Sequence, residues 1–394
     1  MTVDPPPADP FRLPAAQSTA AARAIAERIR AHGPISFAEF MDSALYDPRH
    51  GYYRRSRPSV GRDGDFLTSP ELHPLFGYAI AALAASDWDA RGRPAAYTLC
   101  DIGPGTGALI DAAFGWAGAR RPDFAAALRG VLVEPDGAAR ARQRERLGGF
   151  AARLTWSAGI EEAAPLRGLV VANELLDAQP VHRLRWSGDA WEELCVGLTD
   201  DRFHDVARPL DDASLLEPLV AIAPREGQVV EVCPGVAPLV GAIAAAVAEG
   251  LLLFFDYGDR RERLYAPWRT QGTLMSFHRH VPGDDPYIRV GEQDLTCHVD
   301  IDAVAEAARR GGLHAYPARS QAEWLAAMGA TALSPVAEAG GGADLDAHLE
   351  RRRAAQLLGD AGGLGRIQVL GFAKGMAPPV VGLESPVRAA AGSS

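Results

Sequence analysis

The stretch Tyr97-Thr-Leu-Cys-Asp101-Ile-Gly103-Pro-Gly105-Thr-Gly107-Ala108-Leu decides the fold. A short apolar run of strand length meets three glycines, and a helical pattern follows over Ala108–Ala119. Glycine lets a backbone turn sharply and lets a ligand approach without meeting a Cβ. In open α/β sheets ligands bind at the carboxyl ends of the strands. Gly103, Gly105 and Ala108 also satisfy a relaxed dinucleotide fingerprint, so glycines alone do not choose the ligand. Asp101 narrows the choice. A carboxylate at a strand end suits a ligand whose nearby part is cationic, such as the ammonium of S-adenosylmethionine (SAM), and suits a pyrophosphate poorly. Glu134 ends the next expected strand, where it could accept hydrogen bonds from both hydroxyls of a ribose. Ribose is common to SAM and NAD. SAM, NAD and a purely structural glycine turn all remain open at this point.

Outward from that turn, strands and helices alternate. Strands are expected at Gly130–Glu134, Gly168–Ala172, Leu251–Asp256 and Ile367–Phe372, with helices at Asp136–Leu147, Gly235–Ala248 and Asp302–Arg310 between them. Apolar strands buried on both faces and separated by helices predict a doubly wound, mostly parallel α/β sheet. Two segments interrupt the alternation. Val181–Val206 holds Trp186-Ser-Gly-Asp-Ala-Trp191, a hairpin turn between two strands. Asp259–Thr296 is irregular and carries histidines and aromatics. Before the first strand, Gln17–Ala31 reads as a helix, and Ser36 with Glu39 forms a capping box for a second. Tyr46–Ser69 is a long loop rich in Gly, Pro, Asp and Arg, the kind that is often functional.

The 394 residues allow two or three domains, or one large α/β domain with insertions. The 47% apolar and 23% charged composition excludes wholesale disorder, collagen and coiled coil. A net charge of −10 argues against a nucleic-acid partner. Four dispersed cysteines form no metal or disulfide framework, so a reducing, cytoplasmic location is expected. The opening MTVDPPPADP is not a secretory signal. Val236–Phe255 has membrane-like hydropathy, but Pro238, Glu249 and Gly250 divide it into a helix and a strand, and no membrane partner is expected.

Several ordered blocks extend the reading. They are Ser36-Phe-Ala-Glu-Phe-Met41, Tyr46-Asp-Pro-Arg-His-Gly-Tyr-Tyr53, Gly64-Asp-Phe-Leu-Thr-Ser-Pro-Glu71, Ile102-Gly-Pro-Gly-Thr-Gly107, Asn173-Glu-Leu-Leu-Asp-Ala-Gln-Pro180, Glu231-Val-Cys-Pro234, Asp256-Tyr-Gly258 and Asp294-Leu-Thr-Cys-His-Val-Asp300. In these blocks the chain resembles the MidA-type class I SAM-dependent methyltransferases. The resemblance covers about residues 36 to 329. It implies a seven-stranded Rossmann-like methyltransferase sheet, SAM as cofactor and, by way of the mitochondrial relatives, symmetric dimethylation of a protein arginine. The organisation expected on this basis is a disordered 1–16, an N-terminal helical extension with a cofactor lid loop over 17–94, and a methyltransferase domain over 95–375. Insertions fall at about 181–235 and 259–299, and 376–394 is a disordered tail. Leu175, Leu176 and Gln179 depart from the family's N-E-F-F-D-A-L-P, on what the sequence places as the acceptor side.

The expected site residues follow. Asp101, Gly103, Gly105, Gly107 and Glu134 would hold SAM, with Asp65, Thr68 and Ser69 from the long loop folding over it. Read without the resemblance, the loop end is a helix start, with Ser69 as cap before Pro70. Asn173, Glu174 and Asp177 follow a buried strand and would orient the acceptor; the plainer alternative is a helix cap. His298 is an acceptor-pocket residue by its block. With His278 and His280 it invites a zinc reading, but nothing supplies the four converging ligands, and no metal is expected. A protein substrate is expected, and a homodimer is admitted. A small-molecule acceptor, or a SAM-binding assembly scaffold without turnover, are the alternatives.

Overall fold

The computed structural model describes residues 19–55, 61, 64, 65, 67–330, 333, 343–376, 380, 382 and 383. The expectations for residues 1–16, for nearly all of the Ala337–Ala343 link and for most of the tail after 376 fall outside them.

Four parallel strands come first: β1 (Tyr97–Ile102), β2 (Leu128–Val133), β3 (Leu154–Ser157) and β4 (Leu166–Asn173). The chain then leaves the main sheet to form β5 (His182–Trp186), β6 (Trp191–Thr199), β7 (Arg202–Pro209) and β8 (Val229–Val232), a separate four-stranded antiparallel sheet. It returns as β9 (Val247–Asp256), parallel to β4. Gln368–Lys374 closes the sheet antiparallel to β9, with the short His314–Ala315 beyond it and Arg319–Ser320 on the same edge. The order across the sheet is β3-β2-β1-β4-β9, then Gln368–Lys374 and His314–Ala315. This is the doubly wound, mostly parallel Rossmann-like sheet that the alternation predicts. The chain order reverses between β1 and β4, so their carboxyl ends flank the crevice where such sheets bind ligands.

Both faces are covered. Leu251–Phe255 of β9 are buried completely. One face packs on Leu75–Ala90 and Ala108–Arg120, the other on Val236–Ala246 and Ile301–Arg310. Where the sheet is most crowded, glycine is obligatory. Gly168 on β4 has φ +142°, and a Cβ there would lie 2.1 Å from the carbonyl of Thr98.

The N-terminal helices Ala20–His32 and Phe37–Tyr46 do not rest on this sheet. Thr19 caps the first, and the Ser36–Glu39 capping box starts the second. Their apolar faces meet Val196, Phe203, Val290 and Leu295, which belong to the two interrupting segments. The tryptophan hairpin forms, with Trp186 paired to Trp191. The segment read as irregular is more ordered than its sequence suggests. Met275–His278 pairs with Val281–Gly283 and with Asp294–Thr296, in strands too short to show an alternation.

Candidate active site

The glycine turn sits at the carboxyl end of β1. Gly103, Gly105 and Gly107 take φ of +71°, +54° and +86°. Gly103 N–H donates to Val133 O at 3.0 Å, which ties the turn to β2. Gln143 Nε2 donates to Gly105 O at 2.8 Å, and Trp156 Nε1 donates to Gln143 at 3.0 Å. Over the turn lies a cavity of about 400 Å³, lined by Asp101, Gly103, Gly105, Glu134, Asn173 and Glu174 among others. Asp101 is buried at its floor, and burial together with the nearby Glu134 raises its pKa to about 7. Burial also raises Glu134, whose Oε1 accepts the N–H of Asp136 at 2.8 Å. Two acids held up by desolvation are ready for a ligand that brings a cation to one and hydroxyls to the other. SAM fits that donor set.

A second cavity of about 360 Å³ adjoins the first. Glu174 and Tyr53 line both, and so form the wall between them. Glu174 has φ +50°, and its N–H donates to Phe255 O at 2.7 Å. The turn that follows is capped by Asp256 at the end of β9. The Asp256 carboxylate accepts the N–H groups of Leu175, Leu176 and Asp177 at 3.3, 3.0 and 3.1 Å. Asn173 Nδ2 donates to Glu174 Oε1 at 3.0 Å, and the Ser69 N–H also donates to the Glu174 carboxylate. Burial nevertheless raises Glu174 to about 8. Asp177 is buried and pushed upward too, by its burial and by the neighbouring Asp256 carboxylate. Asp294, raised to about 7 by burial, accepts from Tyr53 Oη at 2.9 Å. Tyr53 stacks on Tyr46, with centroids 5.4 Å apart, and Tyr46 donates to Ala178 O at 2.8 Å. The second cavity thus gathers Glu174, Asp177 and Asp294 with no basic side chain bonded to them among the described residues.

The residues named from sequence divide between several places. Asp101, Gly103, Gly105, Glu134 and Thr68 line the first cavity, together with Asn173 and Glu174. Asp177 and His298 line the second. Gly107, Ser69 and Asp65 line neither. Gly107 is the left-handed start of the helix Ala108–Arg120, closed over by Leu147. Ser69 Oγ donates to Gln321 at 2.8 Å. It begins the short helix Ser69–Leu72, with Thr68 as its cap residue. Asp65 is fully buried, and both its oxygens are engaged. Oδ2 accepts from Arg55 at 2.6 Å and from Tyr52 Oη at 3.1 Å, and Oδ1 accepts the Arg279 N–H at 2.9 Å. It therefore pins the loop from behind, and the direct cofactor contact expected of it is corrected. None of the departures Leu175, Leu176 and Gln179 lines the second cavity. Leu175 lines the first cavity, Leu176 is buried in the core, and Gln179 Nε2 donates to Leu175 O at 3.0 Å. Residues to which the sequence assigned no role include Tyr53, Asp294, Thr273 and Arg366. Tyr53 and Asp294 each end or begin a conspicuous block, which is the signal that was available.

A glycine turn at the switch point of a Rossmann-like sheet, with an acid at the ends of β1 and β2, defines a SAM-dependent methyltransferase. Residues 79–318 match the family described as "Putative S-adenosyl-L-methionine-dependent methyltransferase". The chain is 31% identical to a likely methyl transferase from Burkholderia thailandensis solved bound to S-adenosyl-homocysteine, with a TM-score of 0.83 over 94% of this chain and 96% of that one. It is 28% identical to the mitochondrial protein arginine methyltransferase NDUFAF7 homolog of Drosophila melanogaster, over 79% of this chain and 76% of the relative. It is also 28% identical to mitochondrial NDUFAF7 of Xenopus tropicalis, over 70% and 67%. The chain belongs to this SAM-dependent methyltransferase family. The relatives overturn one expectation. They are mitochondrial proteins, and the cytoplasmic reading falls, because dispersed free cysteines mark a reducing compartment without saying which.

Proposed function

We infer that this chain methylates arginine side chains of a protein, with SAM in the first cavity and the acceptor in the second. The observation that carries this reading is the wall shared by the two cavities, with Glu174 in the lining of both. Three carboxyl groups raised by burial stand there with no basic side chain bonded to them among the described residues, and a guanidinium is a planar fork of donors that carboxylates hold bidentately. The names of the mitochondrial relatives support the same substrate class.

When bound, SAM supplies a methyl carbon on a sulfonium, whose sulfur leaves as a neutral thioether when a nitrogen attacks in line. Asp101 holds the ammonium, Glu134 the ribose, and Thr68 closes the loop over the site. Glu174, fixed by Asn173 and the Ser69 N–H, aims one guanidinium nitrogen at the shared wall. Asp294, oriented by Tyr53, holds the other side of the fork. Positioning of this kind supplies most of the acceleration that an in-line displacement needs. The methylated nitrogen must shed a proton; burial holds Glu174 up at about 8 in the empty site, and the cations of the bound acceptor and SAM favour its ionised form, which is the carboxylate that takes that proton. Asp177 and Asp256 lie next to it as two more buried carboxyl groups.

Incubation with methyl-labelled SAM and a cell lysate tests the proposal. Label should appear in protein and be recovered as methylarginine after acid hydrolysis. Label in small metabolites, or on another amino acid, would overturn it.

A further inference from the structure

Arg366 also lines the second cavity. Its guanidinium lies over the ring of Tyr257, 5.3 Å from the centroid. Other arginines of the chain are committed to carboxylates. Arg261 bonds Asp300 and Glu306, Arg260 bonds Asp302, and Arg55 bonds Asp65. Arg366 has no carboxylate within ion-pair distance among the described residues, and its hydrogen bonds there are those of its backbone: its N–H donates to Gly363 O at 3.3 Å and its carbonyl accepts from Gln368 at 3.0 Å. Nearby, Nδ1 of His298 and Nε of Arg269 are buried polar atoms without a hydrogen-bond partner among the described residues. His298 is pushed down to about 4 by burial first and then by the charges of Arg366 and Arg269, which outweigh the opposing charge of Asp259. The cavity is therefore bipolar, with carboxyls at the shared wall and uncommitted cationic and imidazole groups elsewhere in its lining. Its 360 Å³ exceeds the needs of one side chain: at ~30 Å³ per water-sized group it has room for about a dozen, against seven heavy atoms in an arginine side chain.

We propose that Arg366, with His298 beside it, forms an anion subsite in the acceptor cavity that takes the carboxylate of an aspartate or glutamate flanking the methylated arginine. The proposal rests on the arginine reading above, and it makes Arg366 a specificity-determining residue. A planar guanidinium held over an aromatic ring is pre-organised for bidentate carboxylate binding, and Tyr257 supplies that ring. Charge complementarity of this kind selects partners more than it adds raw affinity.

The test uses the full chain loaded with S-adenosylhomocysteine. Three peptides are titrated that share an arginine and differ only in flanking with Asp, Asn or Lys, and the same three are then offered with labelled SAM. The Asp-flanked peptide should bind about tenfold tighter than the Asn-flanked one, and R366E should reverse the order in favour of the Lys-flanked peptide. Equal binding of all three, an unchanged order in R366E, or no saturable binding of any peptide overturns the subsite. Binding that follows the predicted order without methyl transfer leaves the subsite standing and removes the arginine reading. Transfer to all three without discrimination does the reverse. Circular dichroism of R366E distinguishes a misfolded variant, in which case R366Q, expected to erase the discrimination, gives the deciding titration.

Discussion

The assignment of Asp101 to the ammonium of SAM has a consequence in pH that other contacts do not share. Its carboxyl is raised to about 7 by burial and by the neighbouring Glu134. An ammonium can be held only by the ionised form. With a pKa near 7, about 9% of the empty protein is ionised at Asp101 at pH 6.0 and about 76% at pH 7.5. The affinity for SAM should therefore rise about eightfold over that interval, which is about 1.2 kcal/mol. The interval stops at pH 7.5 because a free α-amino group titrates at ~7.7–8.0, above which the ligand loses its own charge. Titration calorimetry with three ligands isolates the effect. SAM and S-adenosylhomocysteine carry the ammonium and should share the slope. 5′-Methylthioadenosine lacks the amino-acid end, so any slope it keeps belongs to Glu134. Asp101→Asn should flatten the SAM profile and weaken binding at pH 7.5 by about 1.5–3 kcal/mol, the worth of a charged hydrogen bond. An unaltered slope in Asp101→Asn, or an equal slope for 5′-methylthioadenosine, would show that the ammonium lies elsewhere.

Glu174→Gln keeps the shape of the shared wall but loses the charge; kcat should fall at least about a hundredfold while the calorimetric Kd for S-adenosylhomocysteine stays within about threefold. The ligand-free protein should lose stability between pH 6 and pH 8. Glu174 at about 8 and Asp101 and Asp294 at about 7 hold protons in the folded state that their unfolded counterparts, at 4.5 and 3.8, have released, so rising pH favours unfolding. His298 at about 4 against 6.5 unfolded works the other way by under about 1 kcal/mol, leaving a net loss of about 4 kcal/mol, measurable by urea unfolding at the two pH values. Gly168→Ala should destabilise by about 3 kcal/mol or prevent folding, since the new methyl would sit 2.1 Å from Thr98 O at a φ of +142° that alanine disfavours; a Tm within a few degrees of the parent would contradict the strand register.

The main sheet was legible because its strands are buried on both faces and its turn is made of glycines, features that are local in sequence. The helix Leu75–Ala90 was not, because it is buried on nearly every side and therefore shows no 3.6-residue period. The site was legible only in part for a related reason. Asp101, Glu134 and Glu174 stand at strand ends, and strand ends are visible in sequence. Asp65 sits in a polar loop, where an acid aimed at a ligand and an acid aimed at Arg55 read alike. The Tyr53–Asp294 bond joins residues 241 positions apart, and no local pattern announces such a pair. Arg366 follows an unremarkable Gly-Leu-Gly and acquires its meaning only from Tyr257.

The chain devotes one short segment to joining the two cavities, and each residue of Asn173–Asp177 has a different task. Asn173 braces Glu174, Leu175 faces the first cavity, Leu176 anchors in the core, and Asp177 faces the second. Such a division needs a backbone that changes direction within one residue, which is what φ +50° at Glu174 accomplishes. A non-glycine residue in that region is strained by about 1 kcal/mol or more, and it persists only where surrounding bonds fix it. Here the fixing bonds come from β9: Phe255 O accepts the Glu174 N–H, and Asp256 accepts the next three. The most apolar strand of the chain thus ends in the carboxylate that shapes the turn between the two cavities. The same interdependence explains why the leucines of this segment need not match an aromatic pair for the site to form: their side chains pack behind and beside Glu174, and the direction of Glu174 is set by backbone bonds that any side chain at 175 and 176 would leave in place.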